Sequence, residues 1–273
     1  VRSFIDESAV VMKGEGFEVT DKLSSMSVPR TINEVLMARI DRLDQKTRDL
    51  VKTASVIGRY FFYRILAEVA RTIEDMDSRL EYLEEIQLIR ERKRMEELEY
   101  LFKHALAQEV AYDSILVQRR KELHKSVASS IEKVFTERLH EFYGMLAFHY
   151  SQAEDLDKTE EYLIKAGEES LKASASSEAL HYYQLALDLY LKKYGEKADP
   201  EKVAMLERSI ALALFNKGLY AECVPYFDKV LAFYGYKVPK NPISKALKFG
   251  SGFFVFLVSI YLPFLKWKKD PTQ

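Results

Sequence analysis

The 273-residue chain has a single cysteine, Cys223, which excludes an internal disulfide and any cysteine-built metal or redox centre. Its 10 glycines and 7 prolines are too few to punctuate a loop-rich β protein, so helix is the compositional expectation. A net charge of −1 leaves no global attraction for nucleic acid or anionic membrane, and any such contact would need a local patch. No basic, then apolar, then small-residue leader pattern opens the chain. No uncharged run reaches the roughly 20 residues of a spanning helix. The nearest approach is Phe249–Leu265, 17 residues interrupted by Gly250, Ser251, Gly252 and Pro263.

What is present is an ordinary folded balance, 48% hydrophobic and 30% charged, in a chain long enough for two domains and a sizeable core. The first residues read as helix. Val1 is not an initiator Met, and the last residues, Lys268 to Gln273, carry no closing feature, so the chain is expected to be an excised piece of a longer protein.

Thr31 with Glu34 forms a capping-box pattern, followed by Ile32, Val35, Leu36, Ile40 and Leu43 at helical spacing. A second helix is predicted over 45–57, burying Leu50, Val51, Ala54 and Ile57 and ending at Gly58. Two more fall near 61–71 and 75–87. The alternation in 88–92 and 98–102, around the charged residues 93–97, predicts a short hairpin. Helices followed by a hairpin suggest a winged helix. Beyond His104 the pattern is helical throughout, with Leu123, Val127, Ile131 and Val134 on one face of a long helix. Asp157 with Glu160 caps a predicted helix at 158–173. Another spans 176–194 and stops at Gly195, and Asp199-Pro200 starts the next by the N-cap and N1-proline rule.

The later helices carry the small and large residue spacing of tetratricopeptide repeats, helix-turn-helix units of about 34 residues. The strongest copy is Gly218, Tyr220, Cys223, Phe227, Val230 and Leu231, with Gly218 expected at a tight helix crossing. Weaker copies are Ala147, Tyr150, Leu163 and Ala166, then Ala179, Tyr183, Ala186 and Leu187, irregularly spaced.

Val28-Pro29-Arg30-Thr31, Ala38 to Leu43, Ala54 to Phe61, Phe102 to Tyr112, Leu123-His124 and Leu146 to Tyr150 form an ordered set of motifs. The set resembles the region after the ATPase core in large bacterial signalling ATPases of the AAA/STAND type, often fused to class III adenylate or guanylate cyclases or to protein kinases. Val1 to Val11 is similar to that module's last lid helix. The resemblance covers about residues 1–190. It implies an upstream nucleotide switch using ATP and Mg²⁺, a winged-helix-like relay, and repeats that receive a protein partner. No Gly-x-x-x-x-Gly-Lys-Ser/Thr loop occurs here, so no cofactor is assigned to this chain and it is read as non-enzymatic.

Five histidines, at 104, 124, 140, 149 and 181, lack ligand-like spacing and read as structural. His104 and Arg59 are the candidate interdomain contacts, although Arg59, following Gly58, is placed first against the carbonyls of the preceding helix end. Arg39, Asp41 and Arg42 read as a solvated helix face. Arg90, Arg92, Lys93 and Arg94 interleave with Glu91, Glu96, Glu97 and Glu99, which disfavours nucleic acid. Phe249–Leu265, flanked by five lysines, is the candidate membrane contact.

The expected architecture is mostly all-α. Residues 1–27 are read as the end of an ATPase lid and a linker, 28–103 as a winged-helix-like module, and 104–140 as connecting helices. Residues 141–235 form a tetratricopeptide-like α-solenoid, and 236–273 a linker with the apolar segment. The expected function is regulation and protein interaction in the cytoplasm, with membrane association as an added option. The alternatives are part of a nucleotide cyclase or kinase, or a winged-helix transcriptional regulator.

Overall fold

The computed structural model describes residues 10–13, 16–19, 32–94, 97–236, 243, 244, 250, 251 and 254. Thr31, most of Val1–Val11 and most of Phe249–Leu265 lie outside these residues. The described part is mostly helical, with small antiparallel sheets. It divides into two compact units, residues 1–166 and 167–273.

In the first unit, β1 (Val10–Lys13) pairs antiparallel with β2 (Gly16–Val19). Helix was expected at Val10 and Val11. The β-branched side chains of Val10 and Val11 favour the strand found there instead.

Helix α1 (Ile32–Asp41) buries Leu36 and Ile40, and α2 (Gln45–Ile57) buries Leu50, Val51, Ala54 and Ile57 as its periodicity requires. Asp44 starts α2, its carboxylate accepting from the Lys46 and Thr47 amides at 3.1 and 3.2 Å. Arg79 donates to the same carboxylate at 2.7 Å. With the hydrogen bond from the Thr47 hydroxyl as the leading cause, these contacts pull the Asp44 pKa down to about 2.

The chain then runs through β3 (Tyr60–Phe62), α3 (Tyr63–Val69), α4 (Met76–Glu85), β4 (Ile89–Arg94) and β5 (Glu97–Phe102). The hairpin β4–β5 is where the alternation placed it, with Ile89 opposite Phe102 and Arg92 opposite Glu99. Strand β3 adds to the free edge of β5, giving the order β3-β5-β4. At three residues it is too short to show a period in sequence. Phe61 ties this sheet to the core, stacked on Tyr100 at 5.9 Å and tilted on Phe102 at 5.6 Å.

Helix α5 (Ala105–Asp113) leads into α6 (Val117–Val134), whose residues Leu123, Val127 and Ile131 are buried as the periodicity predicts. Helices α2 and α3 pack against it. A 3₁₀ segment (Thr136–Phe142) then joins α7 (Tyr143–Gln152), which packs against α6. Helix α8 (Leu156–Lys172) begins two residues before the predicted start. Asp155, not Asp157, caps it, accepting from the Lys158 amide at 3.3 Å.

The second unit continues with α9 (Ser176–Tyr194), α10 (Pro200–Asn216) and α11 (Tyr220–Phe233). Asp199 caps α10 as predicted, accepting from the Glu201 amide at 3.1 Å. Helix α9 packs on α10, and α10 on α11.

Candidate functional site

Small residues allow the helices of the second unit to approach closely. Ala179 and Ala186 on α9, Ala204, Ala211 and Ala213 on α10, and Cys223 on α11 are all buried. Polar contacts fix the register of the array. The Tyr190 hydroxyl accepts from the Asp199 amide at 3.1 Å, and Lys229 bridges α11 to Glu207 of α10 at 2.7 Å. That bridge, through the Glu207 hydrogen bond first, raises the Lys229 pKa.

The outward surface of the array carries an apolar stripe. Helix α10 exposes Met205, Leu212 and Phe215, which recur at i, i+7 and i+10 on one face. Helix α11 exposes Tyr220, Val224 and Leu231 at i, i+4 and i+11, with the half-buried Phe227 between them. Tyr220 is 60% exposed and edges the Phe215 ring at 5.3 Å, joining the two stripes. Tyr234, just past α11, is 62% exposed. So many large apolar side chains along two adjacent helices are uncommon on a face that meets only water.

The predicted repeat-packing residues separate into two groups. Cys223 is buried, its thiol donating to the Tyr220 carbonyl at 3.2 Å, while Phe227 is half-buried and Tyr220 faces outward. Gly218 is not at a helix crossing. It has φ +79° in the turn after α10, and a Cβ there would meet nothing within 4 Å. The close approach falls at Gly167, where a Cβ would stand 2.8 Å from the Tyr183 ring. The sequence signal for it was Gly167 about three turns into a long helix, where glycine is costly unless space demands it. The two weaker copies have all eight residues buried, whereas Tyr220 and Leu231 of the strongest copy are exposed.

Arg59 and His104 both lie at the surface of the first unit. The Arg59 guanidinium sits 5.6 Å from the Tyr60 ring centroid and not on the carbonyls of α2, because Gly58 turns the chain into β3. His104 is the N-cap of α5 and makes no side-chain capping bond. Arg39, read as a solvated residue, donates to the Ile86 carbonyl at 2.8 Å, tying α1 to the end of α4. His124 and His149, distant in sequence, are buried and meet. Among the described residues no group of three or more metal-ligating side chains occurs, and no helix is long and apolar enough to cross a membrane. No protein-family model matches this chain, and no curated protein matches it.

Proposed function

We propose that this chain is a regulatory, protein-interacting segment of a signalling ATPase, with α9–α11 as tetratricopeptide-like hairpins that take a protein partner. The carrying observation is the apolar stripe running from Met205, Leu212 and Phe215 to Tyr220, Val224 and Leu231. A ridge of this spacing accepts an amphipathic helix through its own i, i+3, i+4 and i+7 anchors. Occupancy would bias a nucleotide-binding module elsewhere in the longer protein, with residues 104–140 as the connection. The location is cytoplasmic in this reading.

The first unit supports the same reading as a winged-helix-like relay. What supports this reading is the order of helix, strand, two helices and hairpin, with β3 paired to β5. DNA recognition is disfavoured by charge. Helix α4, which a winged helix would set in the major groove, carries Asp77, Glu81, Glu84 and Glu85. Its Arg79 is committed to Asp44, and Arg92 of the hairpin to the buried Glu99.

The test is selection from a library of displayed helical peptides, followed by affinity measurement on the full chain and on Val224→Asp and Leu231→Asp. Saturable binding of an amphipathic peptide, weakened at least tenfold in both variants with unchanged circular dichroism, supports the proposal. Binding indifferent to both substitutions, or none at all, refutes it.

A further inference from the structure

The histidines read as structural contain one arrangement that packing alone does not require. His124 on α6 and His149 on α7 face each other with Nδ1 atoms 2.8 Å apart, and the His124 Nε2 lies 3.0 Å from the Tyr112 hydroxyl of α5. Both rings are buried, His149 completely. Its Nε2 is buried with no hydrogen-bond partner. Phe148 covers His124 edge-on at 5.8 Å.

Two facing ring nitrogens need one proton between them. If His124 supplies it, His124 Nε2 is bare and accepts from Tyr112, and the remaining N–H of His149 points at nothing. If His149 supplies it, His124 Nε2–H donates to Tyr112, and His149 Nε2 is a bare buried lone pair. One added proton keeps the facing nitrogens paired, because His124 as imidazolium donates to both Tyr112 and His149, but it places a charge in a buried site. A second must place two N–H groups nose to nose at 2.8 Å and leave the charged His149 Nε2–H without a partner.

The groups around the pair offer an imidazolium no counter-ion. Arg120, on α6, opposes charge on His124 and lies over Tyr112 at 4.9 Å, with Asp113 of α5 3.5 Å from it. Beyond α7, Glu154 and Asp155 are bound to Lys121 and Lys125. From α3, Glu68 is bound to Lys133, and α2 contributes Lys52 to a cavity that it shares with Arg119 and Leu123.

We propose that Tyr112, His124 and His149 form an acid latch, which clamps α6 to α7 while the two rings share one proton and releases that contact when both become charged. Burial, followed by Arg120 for His124 and by His124 for His149, lowers the two pKa values to about 4 and about 3. The sign follows from these lowered values. Above the ordinary 6.5 both states are neutral and pH has no effect. Below it the released state takes up protons that the clamped state refuses, and the loss grows until pH falls through the folded values. At pH 5 this favours release by roughly 30-fold for each ring.

The experiment uses the full chain with 15N-labelled histidine. Imidazole nitrogen shifts report tautomer and titration, and hydrogen exchange of α7 amides, corrected for intrinsic rates, reports the clamp. The expected result is that neither ring titrates near pH 6.5, and that α7 protection falls about 100-fold or more from pH 7 to 5. In the His124→Phe/His149→Met variant that fall should shrink to less than about tenfold. Titration of either ring near 6.5 with α7 still protected overturns the latch, as does an equal fall in the variant. If the variant does not fold, the shifts of the parent decide, since the rings must then charge only as the α7 amides lose protection.

Discussion

Gly167→Ala isolates the helix crossing that the structure places between α8 and α9. The new methyl would stand 2.8 Å from both Cε1 and Cζ of Tyr183 and 3.0 Å from Cδ1, closer than carbon atoms approach without displacement. Tyr183 is 3% exposed and has little room to retreat. Burial first, and then the Glu168 charge, raises its pKa. Overpacking of this kind costs about 1–3 kcal/mol. Replacing a mid-helix glycine by alanine returns about 1 kcal/mol of propensity. The net expectation is therefore a loss of about 0–2 kcal/mol, too small alone to separate the two effects. A double-mutant cycle with Tyr183→Leu separates them, because the same methyl placed beside a vacated ring position should stabilise by about 1 kcal/mol. The coupling should be about 1–3 kcal/mol. The chain contains two compact units, so the readout is hydrogen exchange of α9 amides alongside urea unfolding. Equal effects of Gly167→Ala in both backgrounds would refute the crossing.

Gly218→Ala should cost about 1–2 kcal/mol, through the strain of an alanine at φ +79°. Gly218→Leu should cost nearly the same in thermal unfolding, because the space around the position is open; a much larger loss would restore a crowded crossing there. Asp44→Ala should lower the melting temperature at pH 7 by removing the α2 cap. Since the folded pKa of Asp44 is depressed from 3.8 to about 2, the gap between parent and variant should be complete above pH 4 and close as pH falls through 2; a gap unchanged at pH 2 would be contrary. Purified chain should bind no ATP at micromolar concentration by equilibrium dialysis, since no phosphate-cradling loop occurs in it, and saturable binding lost on a substitution within residues 1–273 would contradict this.

Much of the fold was legible because helix is a local property. The spacing of Leu50, Val51, Ala54 and Ile57, the Asp199-Pro200 start and the Gly195 stop each act within one or two turns, so the sequence alone determined where those helices run. The alternation around residues 93–97 likewise determined a hairpin. What joins distant segments was decided only by tertiary structure. Strand β3 is defined by an edge of β5 some forty residues away along the chain, and no period in three residues announces it. The outward stripe on α10 and α11 has the same 3.6-residue spacing as a core face, and only packing shows which face of each helix is covered. A glycine written the same way at 167 and 218 serves close approach in one place and a left-handed turn in the other. His124 and His149 read as unrelated residues until α6 and α7 bring their rings within 2.8 Å, because a sequence fixes spacing along a helix but not which helix it meets.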